Sequence, residues 1–158
     1  MIKEKAMGTH FQGSEDERRA LSVYIKLMRA AESTTGRINE HLREYGLTVS
    51  QFGVMEALYH LGPLCQGELA RKILKSSGNL TTVIDNLVRD DLVERCRDQA
   101  DRRMIHVHLT DKGRALIERI FPPHVAGVVE TFAVLSPEEQ ETLGDLLRKL
   151  GKNVMSKE

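Results

Sequence analysis

The chain has 158 residues, of which 29% are charged and 4% aromatic, with no Trp and 23 basic side chains against 23 acidic ones. That size allows one domain with a core of its own, and that composition favours helices over a β-sandwich. The balanced charge neither requires nor excludes a polyanionic partner, so the distribution of charge has to decide.

No apolar run approaches the ~20 residues that cross a bilayer. Residues 1–14 read as a flexible polar tail without the apolar stretch of a secretory signal. Cys65 and Cys96 are too few and too far apart for a disulfide framework or a CxxC metal site. A reduced, cytoplasmic setting is the default expectation.

A long helix is expected from about Glu15 to Tyr45. Leu21, Tyr24, Met28, Ala31, Ile38, Leu42 and Tyr45 recur at three- and four-residue steps, and Gly46 stands where a C′ glycine ends a helix. In LTVSQFGVMEALYHLGP, Thr48 and Gln51 have capping-box spacing. Phe52, Met55 and Tyr59 form the inward stripe there, and Gly62-Pro63 ends the helix. A short helix in CQGELARKIL buries Leu69, Ala70, Ile73 and Leu74. Another, from Ser77 to Arg89, turns Leu80, Val83, Ile84, Leu87 and Val88 inward.

LVERCR and MIHVHLT, joined by a polar bend, form a hairpin in which Ile105, Val107 and Leu109 alternate with Met104, His106 and His108. Thr110 or Asp111 caps a helix carrying Leu116, Ile117, Ile120 and Phe121. Pro122-Pro123 should kink or briefly break that helix before Val125, Val128, Val129 and Phe132 continue it. Ser136, Pro137 and Glu139 mark the start of the last helix, with Leu143, Leu146, Leu147, Leu150 and Val154 as its stripe.

Two short helices followed by a hairpin make a helix-turn-helix with a wing, in which the second helix can lie in a major groove. Its outer face offers Ser77, Gly78, Asn79, Thr81, Thr82, Asn86 and Arg89, small polar groups that allow close approach and meet base edges. Ser76 is the expected N-cap, and the free N–H groups beside it suit a phosphate. Between Cys65 and Leu116, ten Lys and Arg stand against eight acids. That surplus is small, yet Arg95, Arg97, Arg102 and Arg103 cluster on the hairpin, where arginines can follow a narrow minor groove. The plainer reading of these charges is a solvated hairpin.

The stretch GELARKILKSSGNLTTVIDNLVRDDLVERCRDQADRRMIHVHLTDKGRAL resembles the winged helix-turn-helix of the MarR family of bacterial transcription regulators. GLTVSQFGVMEAL is similar to that family's second helix, and LSPEEQETLGDLLRKL to its last. The wing signature is D-x-R followed by a strand ending in L-T, here Asp101, Arg103, Leu109 and Thr110. The resemblance implies a mainly α fold. A winged helix-turn-helix lobe (48–110) with a two-stranded β-wing would be flanked by dimerisation helices at 15–45 and 111–158, all within a single domain, 15–158. It also implies a homodimer on a pseudo-palindromic, double-stranded DNA operator, usually as a repressor. The two apolar helical flanks agree, since they carry more aliphatic residues than one small lobe can bury. By the same resemblance Arg103 enters the minor groove, Asp101 orients it or pairs with a nearby arginine, and Arg102 adds a phosphate contact.

Signal-sensing residues are harder to read. Cys65 occupies the position where the family usually has Thr or Ser as a helix N-cap, and a helix N-terminus favours thiolate. It is therefore a candidate redox sensor, with a half-buried structural cysteine as the alternative. Tyr24, Tyr45, Phe52, Tyr59 and Phe132 are candidates to line a crevice for a small aromatic or phenolic effector, although each also fits a core stripe. Six histidines, among which His41 and His60 can approach each other, show no metal-site spacing, so neither a metal nor another cofactor is expected. No phosphate loop or nucleophile elbow points to an enzyme. The rival reading is a dimeric winged-helix interaction module or anti-regulator that no longer reads DNA.

Overall fold

The computed structural model describes residues 10–73, 77–98, 101 and 103–155, and the chain divides after Ile38 into two units. Of the expected tail, residues 1–9 lie outside the described residues, as do Leu74 and the side chain of Val154. Among the described residues, no helix is long and apolar enough to cross a membrane.

The first unit is helix α1, Glu15–Ile38. The Ser14 N–H donates to Glu17 Oε2 (2.8 Å), and the Glu17 N–H donates to Ser14 Oγ (3.3 Å). This reciprocal cap satisfies two donors that the helix start leaves open. Glu15, Asp16 and Glu17 place negative charge at the positive end of the helix dipole. No α1 residue is buried, and Val23, Tyr24 and Met28 each stay more than half exposed.

The second unit begins at Asn39, six residues before the end expected for the first helix. Glu40–Tyr45 is a 3₁₀ turn rather than a continuation of α1. The reason lies in packing: Leu42 and Leu47 are core residues of this unit. Gly46, at φ 66°, lets the chain reverse, with the Leu47 N–H donating to Leu42 O and the Gly46 N–H to Arg43 O, both 3.1 Å. The first helix, expected to reach Tyr45, thus ends at Ile38, where the chain passes into the second unit.

Helix α2, Val49–Leu61, opens with the expected capping box of Thr48 and Gln51. It buries Gln51, Phe52, Val54, Met55 and Leu58 and leaves only Val49, His60 and Leu61 of its residues exposed, which marks it as the central helix of the lobe. After Gly62 (φ 78°) comes β1, Leu64–Cys65, then α3, Gln66–Ile73, with Leu69 and Ala70 buried. Helix α4, Ser77–Arg89, follows.

Strands β2, Val93–Arg97, and β3, Ile105–Leu109, pair antiparallel from Val93↔Leu109 to Arg97↔Ile105. The two-stranded hairpin of the wing belongs to a three-stranded sheet, because β1 adds to the other edge of β3 through Leu64↔Val107 and Cys65↔His106. A two-residue strand is too short to show alternation in sequence.

Leu80, Ile84 and Leu87 of α4 are fully buried, each contributing about 1.5–3 kcal/mol of transfer free energy. Val88, expected inward, is instead 37% exposed. The helix ends in a Schellman turn: the Leu92 N–H donates to Leu87 O (2.9 Å) and the Asp91 N–H to Val88 O (3.0 Å), with Asp91 at φ 58°.

Helix α5, Asp111–Phe132, is pinned on that turn. Thr110 is its N-cap and accepts from the Gly113 N–H (3.0 Å), while the Thr110 hydroxyl donates to Asp91 O (2.7 Å). A Cβ on Gly113 would sit 1.9 Å from Leu92 O. Contrary to the expected break, α5 runs on through Pro122-Pro123. The prolines deprive the Glu118 and Arg119 carbonyls of their usual donors, but all four residues are exposed, so water can serve there. Helix α6, Pro137–Met155, starts with the expected reciprocal cap of Ser136 and Glu139 and leaves Leu146, Leu147 and Leu150 exposed.

Candidate nucleic-acid interface

Burial of Leu80, Ile84 and Leu87 sets the rotation of α4 and turns the opposite face outward. Asn79, Thr81, Thr82, Asp85 and Arg89 are all exposed on it, and Asn86 is half-buried. Gln66, the first residue of α3, donates from Nε2 to Thr81 Oγ1 (2.6 Å), so the two helices of the motif are joined at the reading face itself. Ser77 and Gly78 open α4. The Ser77 side chain and Ser76 lie outside the described residues.

Hydrogen bonds hold the described residues of the wing tip together. The Asp98 N–H donates to Met104 O and the Met104 N–H to Asp101 O, both 2.9 Å. Asp98 Oδ1 accepts from the Asp101 N–H (2.9 Å), and Asp101 Oδ1 accepts from the Arg103 N–H (3.0 Å). The Asp101 carboxylate thus holds the Arg103 backbone. Arg103 is exposed. Arg102 lies outside the described residues.

Arg95 behaves differently from the other hairpin arginines. Its Nη2 is 2.6 Å from Asp85 Oδ1 on α4, a pairing that reading the hairpin by itself does not suggest. Helix periodicity places Asp85 on the outward face, four residues after Thr81 and four before Arg89, but does not name its partner.

Cys65 is the last residue of β1, directly before α3, and its N–H donates to Glu68 Oε2 (2.9 Å). That backbone bond first, then the thiol, hold the Glu68 carboxyl below its ordinary value, with smaller pulls from His106 and Arg71. The thiol therefore has a carboxylate as a close neighbour.

The aromatic candidates are divided. Tyr24 is exposed on α1. Phe52 packs on His124 (centroids 4.5 Å), Tyr59 on His60 (5.0 Å) and Phe121 (6.3 Å), and Arg119 lies over Tyr45 (5.3 Å). His41 meets His124 (5.4 Å). A groove of ≈ 470 Å³ lies between α2 and α3, lined by Val49, Gly53, Glu56, His60, Lys72 and Ile73 among others. None of the five crevice candidates, Tyr24, Tyr45, Phe52, Tyr59 or Phe132, lines it.

Comparison with known proteins gives this geometry a context. The family model of the transcriptional regulators SarA/Rot matches residues 37–120. The curated HTH-type transcriptional regulator MhqR of Bacillus subtilis (strain 168) is 37% identical over 135 residues, spanning 85% of this chain and 93% of the relative. Among solved structures, BpsR of Bordetella bronchiseptica, whose DNA binding is regulated by 6-hydroxynicotinic acid, is 28% identical with TM-score 0.77, covering 89% of this chain and 98% of that one. AbsC of Streptomyces coelicolor, a MarR family transcriptional regulator, has the same fold at TM-score 0.82 and 21% identity, over 92% of this chain and 99% of that one. The polar face of α4, the wing beside it and these likenesses agree, and the chain belongs to the MarR-type winged helix-turn-helix transcriptional regulators, a DNA-binding family.

Proposed function

We propose that the protein is a cytoplasmic, homodimeric repressor that holds a pseudo-palindromic operator and releases it on binding a small aromatic acid or phenol. The observation that carries this reading is the division of its surfaces. The DNA-binding lobe turns a polar helix face and an arginine-tipped wing outward, while α1 and α6 leave apolar stripes exposed.

Each surface has its role. Asn79, Thr81 and Thr82 meet base edges in the major groove. Ser76, Ser77 and Gly78 bring the start of α4 to a phosphate, Arg89 and Arg102 add phosphate contacts, and Arg103 enters the minor groove. Val23, Tyr24 and Met28 on α1, with Leu146, Leu147 and Leu150 on α6, are exposed apolar groups that a second copy can cover. A two-fold dimer then presents two reading helices about one turn of duplex apart.

The similarity to BpsR supports an aromatic effector. Phe52 and Tyr59, interleaved with His60, Phe121 and His124, and Tyr45 beneath Arg119, are the rings through which such a ligand can act. An effector needs only to bind better to a dimer whose reading helices are wrongly spaced.

The test is selection of bound duplexes from random DNA, repeated with a panel of hydroxylated aromatic acids and phenols and, separately, with peroxide. The expected result is a two-fold-related sequence whose binding one of the aromatic compounds abolishes. Release by peroxide alone would move the signal to Cys65. The absence of any enriched sequence would leave the interaction module as the reading.

A further inference from the structure

We propose that Asp85 and Arg95 are a positioning pair for DNA reading: Arg95 contacts no phosphate, but neutralises a carboxylate on the reading face and fixes the root of the wing against α4. The inference rests on the DNA-reading role proposed above and adds two residues to it.

The first observation is where Asp85 lies. It follows Thr81 by four residues and Thr82 by three, and it precedes Arg89 by four. Residues three and four apart share a helix face, so Asp85 stands among the groups proposed to meet the duplex. Its side chain is 57% exposed. DNA carries one negative charge per ~1.7 Å of axis, and a bare carboxylate there would oppose binding to every sequence.

The second observation is what Arg95 does. It is the middle residue of β2, paired in register with Val107 of β3, which is buried. The strand is therefore anchored, and the guanidinium reaches from the wing root to the helix, placing Nη2 2.6 Å from Asp85 Oδ1. Its side chain is the less exposed of the two, at 32%. The contact joins two elements that must both fit one duplex, one in each groove.

The third observation concerns the alternatives. Arg89, four residues after Asp85, is not its partner; Arg89 Nε lies 3.4 Å from Asp90 Oδ1 instead. Arg97 and Arg103 remain exposed toward the wing tip. The hairpin arginines thus divide, with Arg95 serving the protein while Arg97 and Arg103 stay available to the backbone of the duplex.

The test is a double-mutant cycle on the full-length dimer, with the selected operator duplex as probe and affinity measured across a range of salt. R95A is expected to weaken binding by about 10-fold or more, D85N to change it by less than about 3-fold, and D85N/R95A to recover to within about 3-fold of wild type. R95K should recover part of the loss. The double variant should keep the wild-type salt slope, because no phosphate contact has been removed.

Equal losses from R95A in the wild-type and D85N backgrounds, with a salt slope smaller by about 1, would make Arg95 a direct phosphate contact and overturn the proposal. Should R95A not fold by circular dichroism, D85N alone decides: a folded D85N that loses more than about 10-fold contradicts the masking role. Failure of the wild type to select any sequence would sink the DNA reading and this proposal together, and that result precedes any variant.

Discussion

The imidazoles of His41 and His124 lie 5.4 Å apart, centroid to centroid, and Phe52 packs against His124 at 4.5 Å. The 3₁₀ turn and α5 thus meet through two titratable rings. Among the described residues, His124 Nδ1 is buried without a hydrogen-bond partner. Burial first, and the neighbouring His41 second, push the His124 pKa below its ordinary 6.5. As pH falls, the unfolded chain takes up this proton before the folded one does. The stabilising effect is complete above about pH 6.5 and is lost as pH falls through the folded value. Urea midpoints are expected to drop between pH 7.5 and pH 5.5, and to drop less for His124→Leu. Parallel curves for the two proteins would refute the link.

Gly113 is required by proximity. Any Cβ there meets the Leu92 carbonyl at 1.9 Å, and the Thr110 N–H bonds that same carbonyl at 3.2 Å. Gly113→Ala must displace the start of α5 from the turn after α4, at a cost of about 2–4 kcal/mol. Thermal unfolding should show a drop of several degrees, and unchanged stability would mean that the contact relaxes freely.

Asp91 adopts a left-handed conformation at φ 58°, where a side chain is disfavoured and glycine is not. Asp91→Gly is expected to stabilise the protein by up to about 1 kcal/mol, and Asp91→Val to destabilise it by more than about 1 kcal/mol. Denaturant titrations of both variants check the sign.

Leu146 and Leu150 on α6 are 60% and 46% exposed, so charging them leaves the lobe core untouched. Leu146→Glu with Leu150→Glu is expected to convert the proposed dimer to monomer in sedimentation experiments, with little loss of helical circular dichroism. A dimer that survives would place the interface elsewhere.

How much of this could be read from sequence depended on whether the signal was local. Thr48 with Gln51, and Ser136 with Glu139, are short-range side-chain–backbone pairs, and both caps formed where the spacing put them. The bounds of α4 were legible for a similar reason: its apolar period is strong and its core residues are aliphatic. Two identical helix ends were not equally legible. Gly46 announces the left-handed turn after Tyr45, whereas Asp91 makes the same turn after α4 without the residue type that signals it.

The remaining differences are tertiary. The helix expected to continue to Tyr45 stops at Ile38 because Leu42 and Leu47 are drawn into the lobe core. Strand β1 exists only because β3 is beside it. Of the reading surface, the outward polar residues of α4 followed from periodicity. The Asp85–Arg95 pair spans ten residues between a helix and a strand, and no single-element pattern contains it.

The account stands most directly on affinity measured against salt concentration for the wild type, Asn79→Ala and Arg103→Ala, with selected and scrambled duplexes. Asn79→Ala should lose preference at particular base pairs while keeping the salt slope. Arg103→Ala should weaken binding to the selected duplex by about 10-fold or more and flatten the slope by about 1. If both variants bind both duplexes as the wild type does, α4 and the wing do not face DNA.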